Sequence, residues 1–102
     1  MKNIEIYTKL FCPFCTRAKL LLDSLGIEYT EYKVSFDADR EREMNVRSYR
    51  TSVPQIFVNG QSIGGSDDLE ELVDAGVLTN LLENGNIPTN NIERRGELRN
   101  AA

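Results

Sequence analysis

Both cysteines of this chain lie in one run, Cys12-Pro13-Phe14-Cys15, which joins a stretch of strand periodicity to a stretch of helix periodicity. Upstream, Asn3-Ile4-Glu5-Ile6-Tyr7-Thr8 alternates apolar and polar side chains as a half-buried strand does. Downstream, Phe14, Ala18, Leu21, Leu22 and Leu25 recur at helical spacing until Gly26. Pro13 suits the first helical position, because its missing N–H would have no partner there. The chain must therefore turn from strand into helix at Cys12. At such a turn the first N–H groups of the helix are unpaired and its dipole is positive, so negative charge on the Cys12 sulfur is stabilised. The thiolate is the nucleophilic form, which marks Cys12 as the attacking sulfur. Cys15 falls beside the apolar face through Ala18 and Leu22 and is expected to be the less exposed, resolving thiol.

Other uses of two cysteines fit less well. A structural zinc site takes about four ligands, and this chain has no third cysteine and no histidine. A structural disulfide across so short a loop removes little entropy from the unfolded chain. Redox chemistry is the reading that remains, and no metal is expected.

The 102 residues suffice for one domain with a modest core. A net charge of −4, without a basic run or aromatic-basic interleaving, argues against a nucleic-acid or membrane-surface partner. Met1-Lys2-Asn3 leads straight into the first strand, and no apolar run approaches the length of a membrane span. A reducing cytoplasmic compartment is expected, where a CxxC pair cycles between dithiol and disulfide.

Further along, Ile27 to Val34 is rich in β-branched and aromatic residues and predicts an edge strand. Asp37 is placed to cap a polar helix reaching about Arg50, with Ala38, Met44, Val46 and Tyr49 as its few apolar residues. Pro54-Gln55-Ile56-Phe57-Val58 and Gln61-Ser62-Ile63 flank Asn59-Gly60, the turn pair of a tight hairpin. Ser66 is expected to cap a helix that Asp67, Asp68 and Glu70 load with negative charge in and near its first turn and that Gly76 closes. Val77 to Asn84 predicts one last short helix. The resulting order is β-α-β-α-β-β-α-α. From Gly85 onward turn-forming residues dominate, so the chain divides into a domain over 1–84 and an expected flexible tail over 85–102.

Three separated stretches together resemble the glutaredoxins of the dithiol type. They are Tyr7-Thr8-Lys9 before Cys12-Pro13-Phe14-Cys15, then Thr51 to Gly60, then Ile63-Gly64-Gly65-Ser66-Asp67-Asp68-Leu69. Phe14 stands where that family usually has tyrosine, which removes a hydroxyl and keeps the ring. The resemblance implies a thioredoxin-like α/β fold, a four-stranded mixed sheet flanked by helices, working as a monomer. It implies glutathione as reductant, with protein disulfides and glutathionylated proteins as substrates, ribonucleotide reductase among the candidates.

Glutathione carries two carboxylates and one ammonium, so its site should offer cations at two places and an anion at a third. By resemblance, Lys9 sits near the active thiol and is suited to a carboxylate, while Arg47 and Arg50 are candidates for the glycine carboxylate. Their alternative is an exposed helix charge. Ser52, Val53 and Pro54 resemble the family's cis-proline bend, which offers backbone groups of Val53 to a bound peptide. Gly65 would allow close backbone approach, Ser66 would place the γ-glutamyl carboxylate at a helix N-terminus, and Asp67 would pair with the ammonium. Phe14 completes the implied binding set. Two rival functions stay open: an electron donor to ribonucleotide reductase that is recharged by thioredoxin reductase, and an iron–sulfur carrier bridging two chains through Cys12 and glutathione.

Overall fold

A computed structural model describes residues 4–84. In chain order it contains β1 (Ile4–Thr8), α1 (Pro13–Ser24), β2 (Thr30–Lys33), α2 (Ala38–Ser48), β3 (Gln55–Val58), β4 (Gln61–Gly64), α3 (Ser66–Asp74) and α4 (Val77–Asn84). The four strands form one mixed sheet in the order β2-β1-β3-β4. β1 runs parallel to β2 and antiparallel to β3, and β3 and β4 form the antiparallel hairpin. Asn59 and Gly60 both have positive φ, 53° and 83°, as the tight two-residue turn requires. The order of elements and the mixed sheet are those expected from the sequence.

Alternation along β1 and β3 sorts side chains to two faces. Ile4, Ile6, Ile56 and Val58 point to one face and pack with Ala18 and Leu22 of α1, Leu69 of α3 and Leu81 of α4. Tyr7 and Phe57 point to the other and pack with Val34 and with Met44 of α2. β1 and β3 are thus covered on both sides, which makes them the rigid floor beneath the Cys12 turn.

Several boundaries differ from the sequence reading for local reasons. The second strand begins at Thr30 instead of Ile27, because the Ile27 N–H closes back on the Leu22 carbonyl at 3.0 Å and belongs to the end of α1. α2 stops at Ser48, two residues short of Arg50: Tyr49 adopts a left-handed conformation (φ 60°) and its N–H bonds the Asn45 carbonyl. Asp37 does cap α2, its carboxylate accepting the Arg40 N–H at 3.0 Å. Of the apolar residues expected to anchor α2, only Met44 is buried, while Val46 and Tyr49 are exposed. On α1, Phe14 and Leu25 are likewise exposed, and Leu22, Ala18 and Cys15 form the buried edge. The expected tail, 85–102, lies outside the described residues. No helix among the described residues is long and apolar enough to cross a membrane.

Candidate functional site

The β1-to-α1 turn places Cys12 immediately before the first helical residue, with Pro13 in the first turn as its fixed φ favours. The Cys15 N–H donates to the Cys12 sulfur at 3.2 Å, so the sulfur itself caps the helix. A free helical N–H aimed at sulfur solvates negative charge there. On its other side the Cys12 sulfur faces the Val53 carbonyl at 3.9 Å. Cys12 is half-buried and Cys15 buried. Burial pushes the Cys15 thiol up to about 12, and its contact with Cys12 adds to the rise. The expected difference in exposure is present: a half-buried, capped sulfur at Cys12 and a buried thiol three residues later.

Beside Cys12 lies a groove of about 180 Å³, bordered by Phe14, Arg50, Ser52, Val53, Gly65 and Asp67. One wall is the segment before β3, where the Val53–Pro54 peptide is cis. Gln55 is buried beneath it and donates through Nε2 to the Ser52 carbonyl at 3.0 Å and the Ser52 hydroxyl at 3.3 Å. The opposite wall is the start of α3. There the capping position falls to Gly65, not Ser66: the Asp68 carboxylate reaches back to accept the Gly65 N–H at 2.9 Å, and Ser66 becomes the first helical residue. Gly64 has φ 107°, and a Cβ there would run into the Asp68 side chain, so glycine is required at this crossing. A Cβ on Gly65 would come within 3.3 Å of the Pro54 carbonyl, which shows how closely the two walls approach. The Ser66 hydroxyl is buried with no hydrogen-bond partner among the described residues.

Residues 4–63 match the family model for Glutaredoxin. The chain belongs to the glutaredoxin family. It is 51% identical over 83 residues to Glutaredoxin 3 of Escherichia coli K12, covering 81% of this chain and all of that one. Among solved structures it resembles the glutaredoxin from Brucella melitensis, with a TM-score of 0.74 and 42% identity over 84% of this chain and 94% of that one. It also resembles a buckwheat glutaredoxin–glutathione complex, with a TM-score of 0.72 and 28% identity over 81% and 78% of the two chains. Membership in the glutaredoxin family makes it a thiol–disulfide oxidoreductase with the thioredoxin-like fold.

Of the residues singled out in the sequence, Phe14, Arg50, Ser52, Val53, Pro54, Gly65, Ser66 and Asp67 are brought together around the groove. Arg50 is 3.6 Å from Asp68 and otherwise open to solvent. Lys9 lies on the other side of Cys12, paired with Glu41 at 2.8 Å. Arg47 is not brought to the groove. Its guanidinium pairs with Glu5 at 2.9 Å, donates to the Tyr7 hydroxyl at 2.6 Å and stacks 4.0 Å over the Phe57 ring. Those contacts hold the Glu5 carboxyl below its ordinary value and the Arg47 pKa above its own, chiefly through their mutual hydrogen bonds. A side chain committed in this way to the underside of the sheet braces α2 and leaves Arg50 as the cation at the groove.

Sequence reasoning gave no role to Gln55, which reads as one more strand residue, although it sets the height of the Ser52 wall. It also passed over the polar cluster beside Cys15, where Glu31 accepts from the Thr8 hydroxyl at 2.7 Å and pairs with Lys19 at 2.9 Å. Both depend on partners that local pattern does not reveal; the one local signal is a polar Thr8 at an inward strand position.

Proposed function

We propose that the chain uses glutathione to reduce glutathione mixed disulfides and protein disulfides. The observation that carries this reading is the half-buried Cys12 sulfur, capped by the Cys15 N–H and facing the carbonyl of Val53, which borders a groove with one arginine and an acidic helix start. In the first route the Cys12 thiolate attacks the glutathione sulfur of a mixed disulfide, a Cys12–glutathione bond forms, and the substrate leaves as thiolate. A second glutathione thiolate then attacks that bond, releasing oxidised glutathione and restoring the Cys12 thiolate. In the second route Cys12 attacks a protein disulfide, and one substrate sulfur leaves as thiolate. Cys15 then gives up its proton and attacks the Cys12 sulfur of the mixed disulfide, and the second substrate thiolate leaves. Two glutathiones reduce the resulting Cys12–Cys15 disulfide and depart as oxidised glutathione.

The groove's chemistry supports glutathione as the ligand. Its backbone can pair with Val53 as an added strand does, its glycine carboxylate with Arg50, and its γ-glutamyl carboxylate with the N-terminus of α3 and the unpartnered Ser66 hydroxyl. Asp67 is exposed beside these groups and suits the ammonium. Lys9 is available to a carboxylate once it exchanges Glu41 for the ligand. The test is reduction of the glutathione–cysteine mixed disulfide coupled to glutathione reductase and NADPH, run beside an assay with thioredoxin reductase in place of glutathione. Turnover only in the first supports the proposal; turnover only in the second would replace glutathione with thioredoxin reductase as the electron source.

A further inference from the structure

Cys12 stands between two grooves of opposite charge. The one described above is bordered by one arginine and two aspartates, Arg50, Asp67 and Asp68. The other, of about 490 Å³, runs from the β1–α1 turn toward the edge strand β2 and is lined by Lys9, Lys19, Lys33, Glu31, Leu10 and Phe11, with both cysteines at its end. Its single carboxylate is already engaged, since Glu31 accepts from Thr8 and pairs with Lys19. Lys9 is likewise paired, with Glu41 at 2.8 Å, so the charge left over is that of Lys33, which forms no ion pair among the described residues and acts on Glu31 only at longer range. A lysine-rich hollow beside the reacting sulfur is notable on a chain whose net charge is −4.

Phe11 gives this groove an apolar lip. It has φ 55°, a left-handed conformation that a bulky residue adopts only at a cost, and its side chain is 98% exposed. No packing among the described residues offsets that cost. The turn is nevertheless held in place, because the N–H of the neighbouring Leu10, itself 53% exposed, donates to the Ser35 hydroxyl at 2.8 Å. Strain without internal compensation, one residue from a nucleophile, is accounted for if the ring meets something outside the chain.

We propose that this lysine-lined groove docks the disulfide-bearing segment of a protein substrate with acidic flanking residues, an apolar side chain of that segment resting on Leu10 and Phe11. The proposal rests on the reading that Cys12 reduces protein disulfides. It gives the two routes largely different surfaces: a protein disulfide approaches over Lys33, Leu10 and Phe11, where Cys15 also lies, and glutathione from the side of Arg50 and Asp67, the two sharing Lys9 and Cys12. Complementary charge at the rim acts on encounter and is screened by salt.

Two synthetic peptides with the same intramolecular disulfide, one flanked by Asp-Leu and the other by Lys-Leu, test the proposal. At low salt the native chain should reduce the acidic peptide with kcat/KM roughly fivefold above the basic one, because the first is attracted and the second repelled by the charge of Lys33. Lys33→Glu should narrow that ratio to about twofold or less. Phe11→Asn, which tolerates a positive φ while removing the ring, should slow both peptides about threefold or more. Both variants should turn over the glutathione–cysteine mixed disulfide at the native rate, which also reports that they are folded. The proposal is overturned if the native chain treats the peptides alike, if Lys33→Glu leaves the ratio unchanged, or if Phe11→Asn leaves both rates unchanged. It also fails if the native chain turns over the mixed disulfide and neither peptide. A chain inert toward the mixed disulfide as well would remove the glutathione-dependent reading beneath it.

Discussion

The two faces of the sheet are held by different forces, and the difference separates the thiols from much of the surface that would recognise their substrate. On the face of α1, α3 and α4 the contacts are aliphatic, a continuous core from Ile4 and Ile6 through Leu22 to Leu69 and Leu81. Cys15 stands at the edge of that core on the same helix face as Ala18 and Leu22. On the face of α2 the helix buries only Met44 and Ser48, and charged and aromatic groups do the rest. Arg47 bridges Glu5 and Tyr7, Glu43 accepts from Tyr7, Arg40 pairs with Glu43, and Arg40 lies 4.3 Å over the Tyr32 ring. Arg50 and Ser52 follow directly from the end of this helix. Hydrophobic burial therefore secures the thiols, while a polar clamp sets the position of the cation beside them.

This contrast can be broken by substitution. Leu22→Ala should produce the larger loss of stability, about 2–5 kcal/mol by urea unfolding, because it opens a cavity in a fully buried aliphatic core. Arg47→Met should cost less, about 1–3 kcal/mol, since it leaves a mostly buried Glu5 carboxylate without its main partner and keeps the packing over Phe57. Arg47→Met should also raise the KM for glutathione more than it lowers kcat, because it loosens the end of the helix from which the Arg50 segment follows, without touching the cysteines. If the two variants were equally destabilised, or if Arg47→Met lowered kcat with KM unchanged, the separation of roles between the faces would be wrong.

Acid sharpens the comparison with a smaller effect. The Glu5 carboxyl is held below its ordinary value of 4.5 chiefly by its hydrogen bond from Arg47, and that of Glu43 chiefly by the Tyr7 hydroxyl. A carboxyl whose folded value is depressed contributes stability that is fully present above its unfolded value and is lost as pH falls through its folded value. The clamp should therefore be intact at pH 6 and weaken from about pH 4.5 downward. Urea midpoints measured between pH 6 and pH 3 should fall more steeply for the native chain than for Glu5→Gln, which lacks one of the titrating contributors. Identical slopes would mean that Glu5 carries no part of the acid sensitivity.

The same contrast explains what could be read from the sequence. Elements announced by neighbours in the chain were legible: the Cys12-Pro13 helix start, the Asp37 cap, the Asn59-Gly60 turn and the spacing of Ala18 and Leu22. Arg47 was not, because its partners Glu5 and Tyr7 lie about forty residues away and meet it only when β1 and α2 are brought together. The start of α3 was legible to within one residue. Ser66 has the composition of a cap, yet Asp68 reaches back over Gly64 and moves the cap to Gly65. The lysine groove escaped for the same reason as the clamp, since Lys9, Lys19 and Lys33 belong to three different segments that converge only in the fold.

The central claim is that Cys12 exchanges with glutathione and Cys15 only resolves, and single-cysteine variants test it most directly. Turnover of the glutathione–cysteine mixed disulfide and of a looped disulfide peptide should be measured for Cys12→Ser and Cys15→Ser in parallel. Cys12→Ser should lose both activities by about a thousandfold or more, because a serine hydroxyl supplies no thiolate at neutral pH. Cys15→Ser should keep turnover of the mixed disulfide within about threefold of native, since that route leaves the resolving thiol unused, and should lose most reduction of the peptide disulfide. A Cys15→Ser chain dead toward the mixed disulfide, or a Cys12→Ser chain still active on it, would contradict the account.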